Sequence, residues 1–163
     1  MSRYISWLLL LGIAMLPVIG DAQTFCPWLN NATAAGVLNG PVTLTMQSTA
    51  GNGSICSFRS QKGLAVYDLQ IAVHDIKSTF SESTTDEALC RAHAIPLKGI
   101  GNEAILCPFD SEYLHGEQVI GRVRNRKFIV SVGSNLRKNR AITLDAFQLK
   151  AKSIAEQVAG SLF

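Results

Sequence analysis

The sequence predicts an α+β fold: an antiparallel β-sheet packed by a short N-terminal helix and a long C-terminal amphipathic helix, in the manner of an α/β/α sandwich. Two observations carry this. Strand-like runs with period-two alternation fill the middle of the chain. Residues 143–163 instead place apolar side chains three or four positions apart, the spacing of a helix that covers a sheet. No internal repeat, heptad pattern or low-complexity tract interrupts this reading.

The first segment, "MSRYISWLLLLGIAMLPVIGDAQ", has Arg3 ahead of an apolar run over 7–16, a break at Pro17 and small residues at Gly20 and Ala22. That is the layout of a secretory signal peptide, expected over residues 1–22. The apolar run is too short to span a bilayer comfortably, and Gln23, Thr24 and Phe25 before Cys26 are not the small residues of a lipoprotein processing site. Residues 23–163 are then expected as a single disulfide-stabilised domain of ~140 residues, exported to the periplasm or the exterior, with no transmembrane segment after cleavage.

Four cysteines, Cys26, Cys56, Cys90 and Cys107, fall in this domain. An even number in an exported chain points to disulfides. Their wide spacing lacks the close pairs of a metal site, so no metal ligand set is expected. The triplets at Asn31 and Asn52 fit a glycosylation sequon, a pattern common by chance, and carry no functional reading.

After Cys26, "WLNNATAAGVLNGP" has a cap at Asn30 and a stop at Gly40-Pro41, so a short helix is expected. "VTLTMQS", "SICSFRS" and "LAVYDLQIAVHD" follow as an antiparallel meander with turn-prone residues between them. Residues 85–94 read as a short helix that Thr84 or Thr85 can cap, with Asp86 and Glu87 at its positive end and Pro96 beyond it.

The next stretch, "LKGIGNEAIL", sets Gly99, Gly101 and Ala104 at the spacing G-x-G-x-x-A. A dinucleotide loop needs a strand before its glycines and a helix after them, and here helix and proline precede while the strand-like "EAILCPF" follows. The glycines are expected to take positive φ at the start of a strand, and no cofactor is expected.

In "EQVIGRVRNRKFIVSVG" a two-residue turn at Asn125-Arg126 would set Val123 opposite Phe128, Gly121 opposite Val130 and Val119 opposite Val132, all on one face. The other face would set Arg124 against Lys127, Arg122 against Ile129 and Ile120 against Ser131. The final helix has Thr143 as cap, Asp145 in its first turn, and Leu144, Phe147, Ala151, Ile154, Val158 and Leu162 on its apolar stripe.

The succession of "CPWLNNATAAGVLNG", "CSFRS", "GIGNEAIL", "RNRKFIVSVG" and a terminal amphipathic helix resembles the DUF3558-like small secreted bacterial proteins and lipoproteins. The resemblance implies a Mog1/PsbP-like fold and an exported compartment, and no reaction. It also implies that Cys26 pairs with Cys56, which leaves Cys90 for Cys107.

Chemistry is sparse. There is no G-x-S-x-G elbow and no H-E-x-x-H pair. His74 beside Asp75, His93 near a helix end and His115 in a turn each have an ordinary structural role, and an enzyme built from them in loops is the secondary expectation. The charge pattern says more. The chain's net charge is only +3, yet Arg122, Arg124, Arg126, Lys127, Arg137, Lys138 and Arg140 follow one another with no acidic residue between Gln118 and Leu144. Like charges facing each other across a hairpin cost stability, so a non-catalytic protein binding an anionic envelope polymer or an acidic protein surface is the primary expectation. Nucleic acid fits less well, because Phe128 is the only aromatic residue interleaved with the basic ones.

Overall fold

The computed structural model describes residues 25–49, 53–76, 90, 94–137 and 142–163. The expected signal peptide and the expected helix over 85–94 lie outside the described residues, save for Cys90, whose backbone is helical, and Ala94, which is irregular. The elements are helix α1 (Asn31–Leu38), strands β1 (Thr43–Thr49), β2 (Gly53–Lys62), β3 (Ala65–Asp75), β4 (Ile95–Leu97), β5 (Glu103–Asp110), β6 (His115–Val123) and β7 (Arg126–Ser134), and helix α2 (Leu144–Leu162). The strands form one antiparallel sheet in the order β1-β2-β3-β7-β6-β5-β4. It is therefore two meanders, β1–β3 and β4–β7, zipped together along β3 and β7.

Helix α1 begins where its cap dictates. The Asn30 Oδ1 accepts from the Thr33 N–H at 2.8 Å. It ends one residue before the expected glycine: Asn39 takes the left-handed conformation, φ 56°, and the Gly40 N–H closes the turn on the Ala35 carbonyl at 2.9 Å. Helix α2 is capped by Thr143, whose Oγ1 accepts from the Ala146 N–H at 3.2 Å. Its stripe buries Phe147, Ala151, Ile154, Val158 and Leu162 as the spacing requires, while Leu144 in the first turn stays 44% exposed.

Both helices lie on the same face of the sheet, α1 over β2 and β3, α2 over β6 and β7. The Lys150 Nζ of α2 donates to the Val37 carbonyl of α1 at 2.5 Å, satisfying a carbonyl of the last helical turn. Burial pushes the Lys150 ammonium below the ordinary lysine range. Between helices and sheet sits the core, with Phe58, Leu69, Ile71, Val119, Phe128 and Val130 fully buried. The opposite face is mixed. Over β2 and β3 it is polar, with Arg59 paired to Asp68 at 3.0 Å. Over β5–β7 a second small cluster gathers Ile120, Cys90 and Cys107, with Ile105 and Ile129 packed against them.

The disulfides are Cys26–Cys56 and Cys90–Cys107. The first fixes the segment leading into α1 to β2, and the second fixes the helical Cys90 to β5.

The β6–β7 register differs from the expected one by two residues. Val123 pairs with Arg126, Gly121 with Phe128 and Val119 with Val130, so the turn consists of Arg124 and Asn125, and Arg124 carries a positive φ of 52°. Arg122, not Arg124, therefore faces Lys127, while Ile120 faces Ile129 and Gln118 faces Ser131. Packing decides this. A Cβ on Gly121 would come within 2.3 Å of the Phe128 ring, so the glycine makes room for the ring directly across from it. The strand faces survive the correction, because a shift of two residues keeps every side chain on its own side.

Candidate functional site

The tip of the β6–β7 hairpin is held from two directions. The Asn102 Oδ1 accepts from the Arg124 N–H at 2.6 Å, and the Asn102 N–H donates to the Arg122 carbonyl at 2.7 Å. From the end of β3, the Ile76 N–H donates to the Asn125 carbonyl at 2.7 Å. These contacts stabilise a left-handed arginine that its own propensity disfavours. They also explain the glycines. Gly99 and Gly101 have φ of 81° and 61°, lead into β5 rather than into a helix, and let the Asn102 loop reach the hairpin. A Cβ on Gly101 would lie 2.4 Å from the Arg122 carbonyl oxygen.

Four cations surround this tip. Arg122 pairs with Glu103 of β5 at 2.8 Å, and Arg126 pairs with Asp75 of β3 at 3.3 Å. The Arg124 guanidinium stands 5.9 Å from the centroid of the Phe163 ring at the end of α2. Lys127 lies across from Arg122 on the face away from the helices. The acidic gap in the sequence is thus partly filled in space, by carboxylates that neighbouring strands deliver. Beside the Arg122 and Lys127 pair a cavity of about 290 Å³ opens, with Ile105, Ile120 and Ile76 giving it an apolar wall and Glu103, Arg122 and Lys127 its polar side. Such a space is at the small end of ligand pockets and combines a greasy surface with a few charged groups, the usual make-up of a binding site.

Arg137 is not part of this surface. It follows the far end of β7, where it donates to Asp110 at 3.1 Å, and Asp110 also holds His115 Nδ1. Lys138 and Arg140 lie outside the described residues, as does His93. His74 sits opposite Lys127 at the start of β7, whereas His115 sits opposite Ser134 at its end. Seven residues of strand, about 23 Å, separate the two histidines, so they form no joint site. What the sequence did not announce is the polar character of this far end. Glu117 is only 4% exposed on the helix-facing side of β6, and Tyr67 and Ser134, which pair across β3 and β7, are buried beside it. The alternation of the strand predicts that Glu117 points inward with Val119; only its charge argued otherwise.

Comparison with family models, with curated proteins and with solved structures gives no match.

Two places thus concentrate polar chemistry, one at each end of the hairpin. The tip sets Arg122, Lys127 and Glu103 beside an apolar hollow. The far end offers a histidine oriented by a carboxylate, with an arginine on that same carboxylate. Among the described residues no group of three or more histidine, cysteine or acidic side chains is arranged to hold a metal ion, and no helix is long and apolar enough to cross a membrane.

Proposed function

We propose that this chain is an exported, non-catalytic binding protein that engages an anionic partner of the cell envelope through the tip of its β6–β7 hairpin. The carrying observation is the cross-strand pair Arg122 and Lys127. Like charges placed opposite each other weaken a hairpin, and here Glu103 answers Arg122 while the pair borders an apolar cavity. Two disulfides support the exported compartment, because such bonds persist where the surroundings oxidise. The leader-like first segment and the resemblance to small secreted bacterial proteins argue the same way.

The test compares wild type with an Arg122→Glu, Arg124→Glu, Lys127→Glu variant for retention on anionic polymers and on envelope extracts. Wild type should be retained at low salt and released as salt rises, and the variant should pass through with its fold unchanged. Equal retention of the two proteins removes the proposal. A second reading, a small exported enzyme, rests on the His115 and Asp110 contact at the other end of the hairpin. It predicts a hydrolytic or transfer activity that His115→Ala abolishes and the hairpin-tip variant leaves intact.

A further inference from the structure

The two edges of the sheet are built differently. β4 is three residues long and has Pro96 at its centre, which removes a backbone donor. Short length and proline are the ordinary protections of a sheet edge. β1 has neither. It runs seven residues, Thr-Leu-Thr-Met-Gln-Ser-Thr, without a charge, a proline or a bulge, and its register with β2 is unbroken from Thr43 opposite Arg59 to Thr49 opposite Gly53. Among the described residues β2 is its single partner strand. Each antiparallel strand turns half of its backbone groups away from its neighbour, so β1 presents on its outer side a row of donors and acceptors that no other described strand pairs.

We infer that β1 is a dimerisation edge, pairing antiparallel with β1 of a second copy of this chain to continue the sheet across a two-fold axis. The composition of the strand favours a copy of itself. A two-fold axis pairs the strand with its own sequence running the other way, so a β1 carrying several charges of one sign would set them against the same charges of its copy; the strand carries none, and the cation opposite it on β2, Arg59, is neutralised by Asp68. Side-chain pattern sets the register. With Thr45 on the axis, Leu44 meets the partner's Met46 and Met46 the partner's Leu44 on the helix side, where both residues are only half-buried at the margin of the core. On the other side Thr43 meets the partner's Gln47, and Thr45 the partner's Thr45, polar against polar. The blunted β4 edge gives the assembly its limit. A β1-to-β4 contact would be head-to-tail and would propagate, whereas β1-to-β1 uses the same edge on both copies and closes at two.

The experiment is sedimentation of the oxidised protein over micromolar to millimolar concentrations. Wild type should pass from monomer to dimer and stop there. Thr43→Lys, Thr45→Lys, Gln47→Lys places three like-charge contacts across the axis on exposed positions. It should weaken the dimer by about tenfold or more while leaving the monomer folded. In Thr45→Cys the new thiol should be trapped by mild oxidation as a covalent dimer, since the described cysteines are all in disulfides. A wild type that stays monomeric throughout, a dimer indifferent to the lysine variant, or assemblies that keep growing with concentration would each overturn the inference.

Discussion

The two faces of the sheet obey different rules. On the helix side, β6 and β7 align Val119, Gly121 and Val123 with Val130, Phe128 and Arg126, and the apolar members are buried without exception. On the other side the same strands interleave Ile120 and Ile129 with Gln118, Ser131, Arg122 and Lys127, and the apolar pair is clamped by Cys90–Cys107. On the helix side β6 and β7 are held by shape, with the Phe128 ring filling the space that Gly121 leaves open. The other side is held by a covalent staple and by ion pairs that neighbouring strands supply. The first arrangement tolerates little substitution; the second admits charged side chains beside apolar ones.

The largest effect that sharpens this contrast is Phe128→Ala, which empties the place the ring occupies over Gly121. It should cost about 3–5 kcal/mol in denaturant unfolding. Gly121→Ala alone should cost about 1–3 kcal/mol through crowding, and clearly less once Phe128 is already alanine. Additive effects of the two would show that the ring does not rest on the glycine. Next comes the staple. Replacing Cys90 and Cys107 by alanine opens a loop of 17 residues, and on the chain-entropy scale it should cost about 3 kcal/mol. A loss far exceeding that of Phe128→Ala would reverse the ranking of the two faces. The smallest effect lies at Asp68. Burial raises its carboxyl above the ordinary value of 3.8, and the hydrogen bond and charge of Arg59 offset only part of this. The folded state therefore holds the proton more readily than the unfolded one. The stability this lends is full below about pH 3.8 and is lost as pH rises through the folded value. Asp68→Asn should thus gain on wild type between acid and neutral pH by less than about 1 kcal/mol, measured by denaturant unfolding across that range. A variant that loses ground with rising pH would show that Arg59 outweighs the burial.

The contrast also explains what could be read in the sequence. Helix α2 and strands β1, β3, β6 and β7 follow from periodicity, because burial on one face imposes a repeat that propensity alone does not, whereas β2 and β5 are legible as short strand-like runs beside turn-prone residues. The same logic gave the faces of β6 and β7 but could not place the turn. Registers that differ by two residues keep all faces, and the choice depends on Phe128 meeting Gly121 and on Asn102 gripping the tip from 22 residues away. The run of basic residues in the sequence does not map onto one place in the sheet. Arg122, Arg124, Arg126 and Lys127 gather at the turn, yet Arg137 is carried to the opposite end by the length of β7. Pairing of Arg122 with Glu103 and of Arg126 with Asp75 joins positions that only the sheet order brings together. β4 went unforeseen because three residues around a proline carry no periodic signal.

The order of the cysteine pairs bears on how the oxidised protein is made. First joins second and third joins fourth, and each bond ties a residue ahead of a meander to a strand inside it. A chain delivered from its N-terminus presents Cys56 to Cys26 while Cys90 is still behind it, so the first correct bond can close with no competing thiol in reach. By the time Cys107 arrives, only Cys90 remains unreacted. Consecutive pairing is the pattern that bond closure in chain order yields without crossed bonds.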